Sequence, residues 1–184
     1  KLWILQTRSG KRTSKSAVKI AVDMVRERLI NKNDAVLRVD PNSLDTLLHP
    51  TLDEKSSIKV IANGLPASPG AVSGKVVFTS EEAERLNDMM QDTILVRVET
   101  SPEDIQGMHA AKGILTARGG MTSHAAVVAR GMGRPCVSGS SEIDINYDKK
   151  FFKTQTAQIK EGDMITIDGS TGRIILGTVE TVKP

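Results

Sequence analysis

Rings are scarce in this chain. Of 184 residues 3% are aromatic, with one tryptophan and one tyrosine, so Val, Ile, Leu, Met and Ala must fill any interior. Thiols are scarcer still: the single cysteine, Cys136, excludes an internal disulfide and fits a reducing, cytoplasmic setting. No apolar run approaches the roughly 20 residues of a membrane helix. Residues 1–10 do not read as a signal peptide, because their apolar part is short and a basic segment follows. Neither charge dominates. Lys+Arg 25 against Asp+Glu 22 is too even to argue for nucleic acid as a partner. With one thiol, three histidines and no helical histidine pair, no metal site is expected. The chain has no initiator methionine and opens inside what reads as a strand, so a fragment excised from a larger protein is the expectation.

What is present suffices for one domain with a smaller appendage. Residues 2–8 read as a strand with no partner nearby. Arg8, Lys11, Arg12, Lys15 and Lys19 form a basic cluster, read as a solvated turn leading into a helix in preference to a polyanion site. Gly10-Lys11-Arg12 lacks the upstream glycine and the following hydroxyl of a phosphate-binding loop. Val18, Ala21, Val25 and Leu29 recur at helical spacing and predict an amphipathic helix over residues 16–30. Asn33 or Asp34 then caps a short helix through Val39, and Asp40-Pro41 starts another that stops at His49-Pro50. Residues 51–59 are polar and without period, as expected of a linker.

A larger α/β domain is expected from Val60 onward. Glycines and prolines mark residues 64–74 as turns, followed by a strand over 75–78. Thr79 with Glu82 has capping-box spacing for a helix through Met90. A strand over 93–98, a helix started by Ser101-Pro102-Glu103-Asp104 and a strand over 114–117 follow, an order that implies a parallel or mixed sheet with its functional loop at a strand's C-terminal end. Beyond Gly139 the pattern is strands and turns.

The strand over 114–117 delivers Arg118-Gly119-Gly120-Met121-Thr122-Ser123-His124, and an apolar run then leads to Arg130-Gly131-Met132-Gly133. The glycine pair suits a tight strand-to-helix turn whose N–H groups approach an anion. Thr122 or Ser123 can serve as N-cap, which puts His124 in the first helical turn. There the free backbone donors and the helix dipole favour a negative group and disfavour an imidazolium. A neutral imidazole can attack phosphorus, and the same N–H groups can then hold the phosphoryl oxygens. Arg118 either forks onto that phosphate or pairs with a local carboxylate. Thr122 is either the cap or a hydroxyl beside the phosphate. Cys136, in an apolar strand, reads as a buried thiol in preference to a nucleophile.

The run from Gly119 to Gly133 resembles the phosphohistidine signature of the phosphoenolpyruvate-utilising enzymes. Ser123 before the histidine, Leu65-Pro66-Ala67-Ser68-Pro69-Gly70 and Glu99-Thr100-Ser101-Pro102-Glu103-Asp104 look most like the family's dikinase branch; its synthase branch more often has cysteine before the histidine. The resemblance implies an α/β fold: a β/β/α swivelling phosphohistidine domain at 60–176, preceded by the tail of an ATP-grasp nucleotide domain at 1–15, a helical segment at 16–50 and a linker at 51–59. A second linker, 177–184, follows.

By the same resemblance His124 is the carrier. ATP and inorganic phosphate would phosphorylate it, releasing AMP and diphosphate, and the phosphohistidine would convert pyruvate to phosphoenolpyruvate. Gln6 and Arg8 would belong to the nucleotide site. ATP and Mg²⁺ would be bound mainly by domains outside this chain. The implied partners are the ATP-grasp domain and a pyruvate-binding barrel domain of the same polypeptide, in a homo-oligomeric parent, with no nucleic acid and no membrane. The carrier domain would swing on residues 51–59 and 177–184. Two alternatives stand beside this: the synthase branch, and a non-catalytic module that binds polyanions through its basic start.

Overall fold

The computed structural model describes residues 3, 5–7, 10, 12–53 and 57–182. It divides into two compact units, Lys1–Leu48 and His49–Pro184. Among its described residues no helix is long and apolar enough to cross a membrane.

The first unit is helical. Helix α1 (Ser14–Arg26) begins two residues before its expected start because Thr13 is its N-cap, accepting from Ser16 N–H. Helix α2 (Lys32–Leu37) is capped by Asn31, whose side chain accepts from Asp34 N–H at 2.8 Å. Asn33 and Asp34 therefore sit inside the helix they were expected to cap. Helix α3 (Pro41–Asp45) runs on as a 3₁₀ turn, Thr46–Leu48. Val18, Ala21, Val25, Val36, Val39 and Leu44 line an open apolar groove of about 540 Å³ within this unit. Of the strand expected at residues 2–8, Trp3, Leu5, Gln6 and Thr7 are described, and none is in a strand. Trp3 is 76% and Leu5 96% exposed. The remaining residues of that stretch, Arg8 included, lie outside the described residues.

In the second unit the elements are β1 (Thr51–Leu52), β2 (Val60–Asn63), β3 (Leu65–Ser68), β4 (Ala71–Val77), α4 (Ser80–Asp88), β5 (Thr93–Arg97), α5 (Ile105–Ala110), β6 (Gly113–Thr116), α6 (His124–Met132), β7 (Cys136–Ser138), β8 (Asp144–Asn146), β9 (Phe151–Lys153), β10 (Gln158–Lys160), β11 (Met164–Asp168), β12 (Arg173–Leu176) and β13 (Thr181–Val182). Eight of them form a mixed sheet in the order β2-β12-β11-β4-β5-β6-β7-β3. The central run β4-β5-β6-β7 is parallel. This is the α/β class with a mixed sheet that the alternation of strand and helix signals predicts.

Alternation along the central strands sorts their side chains into two cores. Val77, Leu95, Ile114 and Cys136 pack with Ala83, Leu86, Met108, Ala125, Ala126 and Ala129 on the helical face. Val76, Ile94, Val96, Leu115 and Val137 face the other way, against Ile143, Phe152 and Ile159 from the region of the small sheet β10-β9-β8. The result is helices, main sheet and small sheet in three layers.

β3 and the first half of β4 occupy residues read as turns, because Pro66 sits in β3 at the sheet's edge, where a missing N–H is tolerated. β2 stands in a stretch to which no strand was assigned. The expected capping box at α4 is half made. Thr79 accepts from Glu82 N–H at 3.2 Å, but the Glu82 carboxylate turns to Arg85, taking two hydrogen bonds at 2.6 and 2.9 Å. That pairing holds the carboxyl below its usual range. Residues 51–59, expected as a linker, contain β1, which pairs antiparallel with β13 near the other end of the chain.

Candidate functional site

The loops after β5 and β6 leave the sheet side by side. Ala117 and Arg118 N–H donate to the Arg97 and Val98 carbonyls at 3.0 and 2.9 Å, so both loops emerge at the C-terminal ends of parallel strands, where ligands bind in open α/β sheets. Beneath them Thr116 donates to the Arg118 carbonyl at 2.8 Å, and its hydroxyl oxygen lies 3.3 Å from that of Ser138. Gly119 has φ +110°, and a Cβ there would lie 2.9 Å from the Ser123 hydroxyl oxygen. Both facts require glycine. Gly120 has open space around it and is exposed at the loop's surface.

Ser123 is the N-cap of α6, accepting from Ala126 N–H at 3.4 Å. Thr122 is exposed and is not the cap. Ala125, Ala126 and Ala129 are buried, and their small side chains let the helix lie close to the sheet. His124 is thus the first residue of α6. Its Nδ1 lies 2.9 Å from the Thr100 hydroxyl oxygen. The half-buried ring opens on a cavity of about 250 Å³ lined by Glu99, Thr100, Arg118, Gly119, Ser123, His124 and Ala125.

With Nδ1 taken, Nε2 is the nitrogen without a hydrogen-bond partner among the described residues. When Nδ1–H donates to Thr100, Nε2 carries the lone pair. Arg118 is exposed and forms no ion pair among the described residues. One cation, a helix start and a nitrogen lone pair meet at this cavity, an arrangement suited to an anion that bonds to nitrogen. No group of three or more His, Cys, Asp and Glu that could hold a metal exists among the described residues. The cavity's single carboxylate, Glu99, does not fit a cation cage.

A set of residues that sequence reasoning did not assign to the site holds the Thr100 side of it. Asp104, 4% exposed, accepts from Ser101 N–H at 2.9 Å and from the Ser80 hydroxyl at 3.1 Å. Arg97 Nε lies 3.4 Å from the same carboxylate, and the arginine also donates to the Phe78 carbonyl at 3.0 Å. On the His124 side Arg130 reaches back along α6, donating to the Met121 carbonyl and, at 3.1 Å, to the Ala126 carbonyl. The available signal for Thr100 was its place just past an apolar strand beside the one that delivers the glycine pair.

Gln6 lies in the other unit, and Arg8 lies outside the described residues. Cys136 is fully buried in β7 and burial pushes its thiol up to about 12. The folded chain should therefore resist thiol reagents at about pH 8 and react only as it unfolds. The sign for stability follows from the same shift. Between the ordinary 9.0 and about 12 the unfolded chain has lost this proton and the folded chain keeps it. Stability should thus fall as pH rises through that window, by up to about 1.4 kcal/mol per pH unit from this group. Alkaline melting curves of Cys136→Ala should be correspondingly flatter.

Residues 89–172 match the PEP-utilising enzyme, mobile domain. The chain is 59% identical over 184 residues to pyruvate, phosphate dikinase of Rhizobium meliloti, covering 100% of this chain and 20% of that protein. It is 56% identical over 186 residues to pyruvate, phosphate dikinase 1, chloroplastic, of Arabidopsis thaliana, covering 100% and 19%. To pyruvate, phosphate dikinase of Clostridium symbiosum it is 56% identical over 183 residues, covering 98% and 21%. The chain thus spans about a fifth of the length of these relatives. The mobile-domain match encloses the histidine, and the likeness to these dikinases reaches from one end of the sequence to the other.

Proposed function

We propose that this chain is the phosphoryl-carrying part of a pyruvate, phosphate dikinase. The observation that carries the reading is His124 itself: Nδ1 held by Thr100 and the ring facing a cavity that Arg118 lines. ATP supplies the phosphoryl group: the Nε2 lone pair forms the N–P bond as the bond from that phosphorus to AMP breaks, and inorganic phosphate then takes the outer phosphoryl group and departs as diphosphate, leaving one phosphoryl group on nitrogen. In the second half-reaction pyruvate loses a methyl proton, its enolate oxygen takes the phosphorus, and the N–P bond returns its electron pair to Nε2. Arg118 and the N–H groups of the turn through Gly119, Gly120 and Thr122 bear the phosphoryl oxygens, with Ser123 supporting that turn as helix cap and as donor to the Gly120 carbonyl. ATP and Mg²⁺ are held by an ATP-grasp domain outside these residues, with Gln6 and Arg8 at its edge, and pyruvate by a barrel domain, within a cytoplasmic homo-oligomer.

One histidine that serves two distant sites must travel as part of a rigid body, the swivelling domain at 60–176. The pairing of β1 with β13 favours this: Thr51–Leu52 and Thr181–Val182 form a two-stranded ribbon, with Leu52 and Val179 buried, which brings the described ends of both stretches together. The lone Glu99 beside Arg118, in place of a second cation, and the pairing of Lys19 with Asp23 at 2.9 Å give a polyanion module no comparable support.

Incubating the intact parent enzyme with labelled ATP and phosphate should leave acid-labile label on the peptide that contains His124. Label elsewhere, or none, would sink the reading. Thr100→Val, which keeps shape and removes the hydroxyl, should slow phosphorylation roughly 10- to 100-fold, the scale of a small misplacement of a reacting atom. It should also let some phosphate appear on Nδ1, seen as a second phosphohistidine signal by phosphorus NMR.

A further inference from the structure

The stretch that carries Thr100 is short and fastened at its ends. β5 stops at Arg97, and the next regular turn starts at Pro102. Ser101 is tied to Asp104. At the other end Val98 is held from two sides: its carbonyl accepts from Arg118 N–H at 2.9 Å, and its N–H donates to the Tyr147 hydroxyl at 2.7 Å. Glu99 and Thr100, between these fastenings, line the cavity.

Tyr147 follows β8, in the small-sheet layer, on the opposite face of the main sheet from α6. Its ring is fixed independently of its hydroxyl. It meets Phe78 edge-on, with centroids 6.4 Å apart and planes at 83°, and the Arg97 guanidinium carbon lies 5.2 Å from its centroid. That guanidinium is itself held by Asp104 and the Phe78 carbonyl. The hydroxyl is therefore presented to Val98 from a stiff mount.

We propose that Tyr147 is a positioning residue for His124, acting through Val98 and Thr100. The hydroxyl sets where the residue 98–100 backbone lies, that backbone sets the Thr100 hydroxyl, and the Thr100 hydroxyl, in contact with Nδ1, sets the angle of the imidazole. Because Val98 is half-buried, water can replace the lost acceptor when the hydroxyl is removed. The loss then falls on loop placement while the fold stands. The proposal rests on the phosphoryl-carrier reading for its kinetic consequence, and on geometry alone for its effect on the ring.

Tyr147→Phe keeps the ring contacts and deletes the hydroxyl. In the 184-residue chain, with three histidines, nitrogen NMR of labelled imidazoles should show the His124 signals shifting as the hydrogen bond at Nδ1 weakens. His49 and His109 should stay fixed, and the melting temperature should be unchanged. In the intact parent, kcat should fall about tenfold with KM values unaltered, below the 100-fold scale of a displaced reacting group. A double-mutant cycle closes the test: with Thr100→Val present, Tyr147→Phe should have no further effect, because the hydroxyl it positions is gone. Unmoved His124 signals would overturn the proposal, as would full additivity of the two substitutions. If wild-type parent failed to place phosphate on His124, the carrier reading would fall while the ring signals still decided the role of Tyr147.

Discussion

His124→Asn in the intact parent enzyme should stop both half-reactions, lowering turnover by roughly four orders of magnitude or more, as loss of a covalent nucleophile does. Asparagine can keep a hydrogen bond to Thr100 and tolerates the start of a helix, so the melting temperature should stay close to wild type. What it lacks is a nitrogen lone pair able to bond phosphorus, since an amide nitrogen's pair is delocalised into its carbonyl. The measurement is isotope exchange in each half-reaction separately: label between ATP with phosphate and AMP with diphosphate, then between pyruvate and phosphoenolpyruvate. One shared carrier requires both exchanges to vanish together. Survival of either would mean that a second group carries phosphate for that half, and His124 would lose its place at the centre of the mechanism.

Gly139→Ala is the second large effect, on stability and on the site together. Gly139 has φ +62°, and a Cβ there would fall inside the van der Waals envelope of the Gly119 carbonyl oxygen. Left-handed backbone and overpacking against main chain should cost together about 3 kcal/mol. For a chain of this size that is a drop in melting temperature of roughly 10 °C. Gly133 supplies the control. Its φ is +65°, yet a Cβ would meet nothing within 4 Å, so Gly133→Ala bears the left-handed strain alone, about 1 kcal/mol. The difference between the two variants, by thermal or urea melting, isolates the collision. Because the carbonyl that must yield belongs to the glycine loop, Gly139→Ala should also lose phosphorylation of His124 beyond what its lowered stability explains, while Gly133→Ala should keep it. Equal melting temperatures for the pair would refute the close packing of the two loops.

Much of the site was legible because its signals are local. A hydroxyl residue before an apolar, small-residue run, with glycines upstream, states a cap, a helix start and a turn through each residue's own conformational preferences, and Ser123, His124 and Gly119 stand where those preferences require. The short apolar runs along residues 93–97 and 114–116 likewise marked buried strands. The same local logic failed at residues 2–8, where an apolar run without a neighbour forms no strand among its described residues. It failed again at 65–68, where Pro66 hid an edge strand, and at Glu82, where a salt bridge outcompeted a backbone N–H.

By itself, then, the sequence determined that a histidine opens a helix behind a glycine turn, and what local backbone presents it. A helix start is written in consecutive residues, and so is the freedom of a glycine pair. Only the tertiary structure decided what surrounds that residue. Thr100 meets His124 because β5 and β6 are parallel neighbours, and Tyr147 steadies that loop because the small sheet closes over the far side of the same strands. Such meetings depend on strand order and on which face a side chain takes, and both are set by how distant segments share a core.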